Sequence, residues 1–137
     1  EQSNSDAVAL AEKMFGLLNM TVIYMNSEEH DVHAAYVSHI SHISSFALAL
    51  TVLEQEKNEK HIFNLASGGF DSTVRLAKSS SEMWTPIFMQ NENNVLTVLD
   101  TYINKLTEFR QHIAEKNKDA VHDLIIEANR IKRILKK

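Results

Sequence analysis

Residues that end helices are almost missing from this sequence: Gly16, Gly68, Gly69 and Pro86 are its only glycines and its only proline. A β-sandwich or barrel needs a tight turn at the end of every short strand, so that class is excluded by supply alone. The same scarcity favours long helices with few interruptions. With 137 residues the chain amounts to one domain, large enough to bury its own core without a covalent staple. No cysteine is present, which excludes disulfides, thiolate metal sites and a thiol nucleophile, and fits a cytoplasmic protein.

The longest apolar run, residues 46–53, is interrupted by Thr51. It falls far short of the roughly 20 residues of a membrane span, so no membrane partner is expected. No basic-then-apolar leader opens the chain, and its first residue is Glu1, which predicts a fragment or a processed product. The net charge of −4 conceals an asymmetry: residues 1–104 carry −8 and residues 105–137 carry +4. The segment Arg130–Lys137 holds five cations and no acid. Without aromatic residues to stack on bases, this reads as a solvated basic helix end rather than a nucleic-acid site.

Apolar spacing locates the elements. Ser5 and Asp6 open a helix with Val8, Ala11, Phe15 and Leu18 on one face. The β-branched and aromatic stretch Met20–Met25 predicts a single short strand. One strand cannot satisfy its own backbone, so it reads as the edge of a larger α/β unit or of a dimer. Ser27 caps the longest helix, whose stripe runs Val32, Tyr36, Ile40, Ile43, Phe46, Leu50, Leu53. Short helices are predicted over 62–66 and 73–78, with Gly68-Gly69 as the clearest loop. Ser81-Glu82 starts another, which Pro86 kinks or resets. Val95, Leu99, Tyr102, Leu106, Phe109 and Ile113 keep a 4-3 spacing, and Val121 to Leu135 form the last helix. The fold class is all-α: a bundle of about six helices with one short N-terminal edge strand, and a homodimer to cover its long stripes.

Four histidines, His30, His33, His39 and His42, fall on the longest helix. At about 100° per residue the two pairs point away from each other, so they cannot share an ion, and no metal is assigned. His39 falls inside the apolar stripe and His42 at its edge. They are either a satisfied core histidine and a surface one, or the polar rim of a pocket, with hydroxyls from Ser38, Ser41, Ser44 and Ser45 around it. Arg75 is the only arginine before Arg110 and follows the Gly68-Gly69 pair by about two turns. Its fork suits a carboxylate, and the competing reading pairs it with Asp71 at i, i+4. Neither GxGxxG nor GxxxxGK[ST] occurs.

Taken in order, Glu29-His-Asp31, Tyr36-Val-Ser-His-Ile-Ser-His42, Gly68-Gly-Phe-Asp-Ser-Thr-Val-Arg-Leu-Ala77, Ser81-Glu-Met-Trp84 and Ile87-Phe88 resemble the C-terminal region of prephenate dehydrogenases. The likeness covers about residues 5–115. Ser41 stands where the family often has proline, and the acid after Phe70 is displaced by one position. The resemblance implies an intertwined dimer, with 1–27 the last αβ piece of a Rossmann domain, 28–115 a dimerisation and substrate-binding domain, and 116–137 a basic helix beyond the recognised part. It implies an enzyme that converts prephenate to 4-hydroxyphenylpyruvate with NAD or NADP in tyrosine biosynthesis. The dinucleotide site and the catalytic histidine belong to the missing domain, so the fragment alone binds no cofactor and is inactive. The resemblance makes Arg75 the carboxylate-binding arginine and His42 a substrate-pocket residue also linked to tyrosine inhibition. Ser38, His39, Met83 and Trp84 fall at pocket positions. Two rival readings remain: an arogenate dehydrogenase, and a helical adaptor module without a ligand site.

Overall fold

A computed structural model describes residues 4–57 and 61–135 of the chain. It divides into two compact units, Glu1–His30 and Asp31–Lys137.

In the first unit, α1 (Ser5–Leu17) is capped by Asn4, whose Oδ1 accepts the Asp6 amide at 2.8 Å; Ser5 is already helical. The helix ends on Asn19 in the left-handed region (φ 54°), which asparagine tolerates. Residues 20–26 form no strand, contrary to the sequence expectation. A strand exists only through its neighbour's hydrogen bonds, and no described segment offers a ladder. Instead the Tyr24 hydroxyl donates to the Glu12 carboxylate, and that bond raises the phenol's pKa.

A single helical rod, α2 (Ser27–Glu56), begins at a capping box. The Glu29 amide donates to Asn26 Oδ1 at 2.8 Å and the Asn26 amide donates to Glu29 Oε2 at 3.2 Å. The cap is therefore Asn26 and not Ser27. The rod is α-helical over Ser27–Ala34, π-helical over Ala35–His39 and α-helical again over Ile40–Glu56. The Ile40 amide bonds to the Ala35 carbonyl, five residues back, so one residue is inserted relative to an α-helical register. By length and composition alone the rod is long and apolar enough to cross a membrane. No uninterrupted apolar run signals this, because serines and histidines are spaced among its apolar residues.

Within Asp31–Lys137 the rod packs on α5 (Glu92–Ala114) through its π-helical segment. Its second half packs on α3 (Gly68–Val74) and on the 3-10 turn Arg75–Lys78. The glycine pair opens α3 and is not a loop. Neither glycine has a positive φ, and the Asp71 amide already bonds to the Ser67 carbonyl at 3.1 Å. Ser80 caps α4 (Ser81–Gln90) by accepting the Met83 amide at 3.3 Å, and Pro86 lies inside that helix. Asn117 caps α6 (Lys118–Ala128). The amides of Arg130 and Arg133 then bond three residues back, which separates α6 from the short α7 (Ile131–Ile134) where the sequence suggests one helix.

The core is small and partly polar. Ala35, Trp84, Val95 and Val98 are buried together with His39, Ser45 and Asn91. Many large apolar side chains remain open in one copy, among them Val37, Leu50, Ile103 and Leu106.

Candidate functional site

The rod α2 supplies most of the site. His39 is buried, and its ring meets Trp84 edge-on with centroids 6.0 Å apart and Phe88 at 6.2 Å. His42, half-buried one turn later, stacks on Trp84 itself, with centroids 3.5 Å apart and planes inclined by 26°. Trp84 and Phe88 come from α4, at 5.4 Å from each other. Three of the residues singled out in the sequence, His39, His42 and Trp84, therefore form one aromatic cluster.

Hydrogen bonds fix how the two imidazoles present themselves. His42 Nδ1 lies 3.0 Å from the Ser38 carbonyl. A carbonyl only accepts, so Nδ1 carries the proton and Nε2 is the nitrogen left for other partners. Ser38 thus enters through its backbone. For His39, Nδ1 lies 3.3 Å from Asn91 Nδ2 and takes the accepting role. Asn91 also donates to the Asp31 carbonyl at 2.7 Å, and its Oδ1 accepts from Asn94 at 2.8 Å. This buried amide ties the start of the rod to α5. Sequence reading passed over Asn91; an uncharged amide at the junction between two helical patterns was the available signal.

Trp84 Nε1 is fully buried and has no acceptor among the described residues. Met83, beside it in sequence, is half-exposed, and its backbone amide donates to the Ser80 cap.

Arg75 is exposed and begins the 3-10 turn. The competing reading, an ion pair with Asp71, does not form. Asp71 instead takes Lys78 Nζ at 2.8 Å, and that bond lowers its carboxyl pKa. The guanidinium has no hydrogen bond or ion pair among the described residues. Ser45, 2% exposed, donates to the Thr73 carbonyl at 3.1 Å and accepts the Ala77 amide at 3.0 Å. It therefore holds the backbone on both sides of Arg75, one helical turn along the rod from His42.

Among the described residues no three His, Asp or Glu side chains gather to hold a metal ion. The glycine pair does not fit a dinucleotide phosphate, because that site needs a strand leading into a glycine-rich turn and none precedes Gly68.

The described residues form an all-helical fold whose buried polar side chains are His39 and Ser45 on the rod and Asn91 between α4 and α5. Residues 26–127 match the family described as prephenate dehydrogenase, dimerization domain, and the chain belongs to that family. A prephenate dehydrogenase of Bacillus subtilis is 25% identical over 117 residues, 85% of this chain and 32% of the relative. A cyclohexadienyl dehydrogenase of Zymomonas mobilis is 29% identical over 126 residues, 91% of this chain and 42% of the relative. The crystal structure of prephenate dehydrogenase from A. aeolicus, in complex with hydroxyphenyl propionate and NAD+, superposes with a TM-score of 0.80 at 28% identity. That superposition covers 98% of this chain and 46% of the other. The chain thus spans 32–46% of the length of these proteins.

Proposed function

We propose that this chain is the dimerising and substrate-binding part of a prephenate dehydrogenase. The enzyme would remove a hydride and carbon dioxide from prephenate to leave 4-hydroxyphenylpyruvate. One observation carries the reading of the site: His42 stacks on Trp84, and the buried indole N–H beside it has no partner among the described residues. An unpaired donor at that depth costs stability, and a ligand or a neighbouring segment that accepts its proton would repay it.

The chain's own groups take distinct roles. The Arg75 guanidinium grips a substrate carboxylate through two parallel N–H bonds. With its Nδ1 proton committed to the Ser38 carbonyl, His42 has Nε2 left to meet a substrate hydroxyl. Trp84 supplies a flat apolar wall, and His39 meets that indole edge-on. The hydride acceptor is NAD or NADP, held by a Rossmann domain outside these residues. The NAD+ in the A. aeolicus complex supports that assignment, as does the share of that chain lying beyond the match. The fragment alone is then inactive. The exposed apolar residues of the rod and of α5 support a homodimer.

In the full-length enzyme, Arg75→Ala should raise KM for prephenate by about tenfold or more, a loss of about 1.4 kcal/mol or greater. An unchanged KM defeats the carboxylate role. The cyclohexadienyl dehydrogenase relative favours a second reading, in which the same pocket also accepts arogenate. Steady-state assays with each substrate separate the two.

A further inference from the structure

We infer that Ser45 is a positioning residue for Arg75, acting as a hydroxyl wedge in the helix that carries it. Thr73 and Ala77 are four residues apart. In an uninterrupted helix the Ala77 amide would bond directly to the Thr73 carbonyl. Here the Ser45 hydroxyl stands between them, accepting from Ala77 at 3.0 Å and donating to Thr73 at 3.1 Å. A side chain inserted into the ladder in this way bends a helix at the point of entry. The bend is visible: Val74 has φ −92° and ψ 6°, α3 stops there, and a 3-10 turn takes over at Arg75.

The wedge is specific in placement. It comes from the rod, one turn after His42, so the element that presents the stacked imidazole also sets where the arginine leaves its helix. It is the most deeply buried polar side chain of the core, at 2% exposed. Its neighbours Ser41 and Ser44 differ in kind: their hydroxyls bond back to carbonyls four residues earlier on the rod itself. Removing the Ser45 oxygen lets the Thr73–Ala77 bond close and the helix straighten through Arg75. The guanidinium then leaves its backbone in a different direction.

This inference rests on the carboxylate role of Arg75, and its test separates the two. Ser45→Ala, Ser45→Thr, Arg75→Ala and the Ser45→Ala/Arg75→Ala pair are prepared in the full-length enzyme and assayed with prephenate and with the nucleotide. Ser45→Ala should raise KM for prephenate at least fivefold, with kcat and the nucleotide KM within twofold of the parent. Ser45→Thr, which keeps the hydroxyl, should stay within twofold throughout. In the Arg75→Ala background, removing Ser45 should add nothing. If Arg75→Ala raises KM but Ser45→Ala does not, the wedge is overturned while the carboxylate role stands. The wedge is also overturned if the Ser45→Ala loss persists without Arg75, or if kcat and both KM values move together. Unchanged KM in Arg75→Ala overturns both. Should Ser45→Ala not fold, Ser45→Cys, which fills the site with a slightly larger group and weakens both bonds, is scored by the same criteria.

Discussion

The imidazole of His42 lies on the indole of Trp84 with ring centroids 3.5 Å apart, although 41 residues separate them in the chain. His39 meets the same indole edge-on, so one side chain from α4 organises both histidines of the rod. Trp84 is also one of the few large apolar side chains that a single copy buries.

Replacing Trp84 by alanine therefore should cost about 3–5 kcal/mol, as large-to-small changes in cores do. Trp84→Phe keeps a ring face under His42 and removes the unpaired N–H, so it should cost much less. Urea unfolding followed by circular dichroism compares the two. Equal losses would show that ring stacking contributes little there.

Asn91 holds the Asp31 carbonyl, the His39 ring and Asn94 together from a buried position. Asn91→Ala removes the buried amide that bonds the Asp31 carbonyl, His39 Nδ1 and Asn94. The expected loss is about 1–3 kcal/mol, in the range for deleting hydrogen bonds at a buried position. Chemical denaturation measures it, and a neutral result would mean that water replaces the amide without cost.

Lys78 lowers the Asp71 carboxyl pKa below its ordinary value of 3.8. A depressed folded pKa adds stability that is present above the unfolded value and is lost as pH falls through the folded one. In Lys78→Met, the stability difference from the parent should shrink as pH drops below about 3.9 and as salt is added. Carboxyl titration by NMR should show the Asp71 midpoint moving up toward 3.8 in the variant. An unmoved midpoint would break the assignment of Lys78 as the cause.

Ser80 caps α4, the helix that carries Trp84, and donates to Glu82 at 2.8 Å. Glu82 is held below its ordinary pKa, first by its own amide and then by Ser80. Ser80→Ala should cost about 1 kcal/mol, whereas Ser80→Thr should be nearly neutral, since it keeps both the cap and the hydroxyl that donates to Glu82. Thermal unfolding distinguishes them. Equal melting temperatures for parent and alanine variant would rule out a working cap.

Local interactions made much of this molecule legible from sequence. Scarce helix breakers and the 3.6-residue spacing of Val95, Leu99, Tyr102 and Leu106 give α5 whatever it packs against. The order of Ser38, His39, His42, Gly68, Arg75 and Trp84 was enough to place the chain in its family. Local competition between neighbours was harder to read: Asn4 and Asn26 take the capping places expected of Ser5 and Ser27, and Met20–Met25 had strand propensity but no partner among the described residues. What only tertiary structure decided involves groups distant in sequence. The inserted residue at Ala35–His39 turns the rod's face, Trp84 joins the histidines, and Ser45 opens the helix at Arg75. Each depends on a hydrogen bond or ring contact whose partner lies outside the reach of any local pattern. Sequence spacing could say that Ser45 sits among apolar neighbours, but only packing brought it to the one broken bond in the helix it meets.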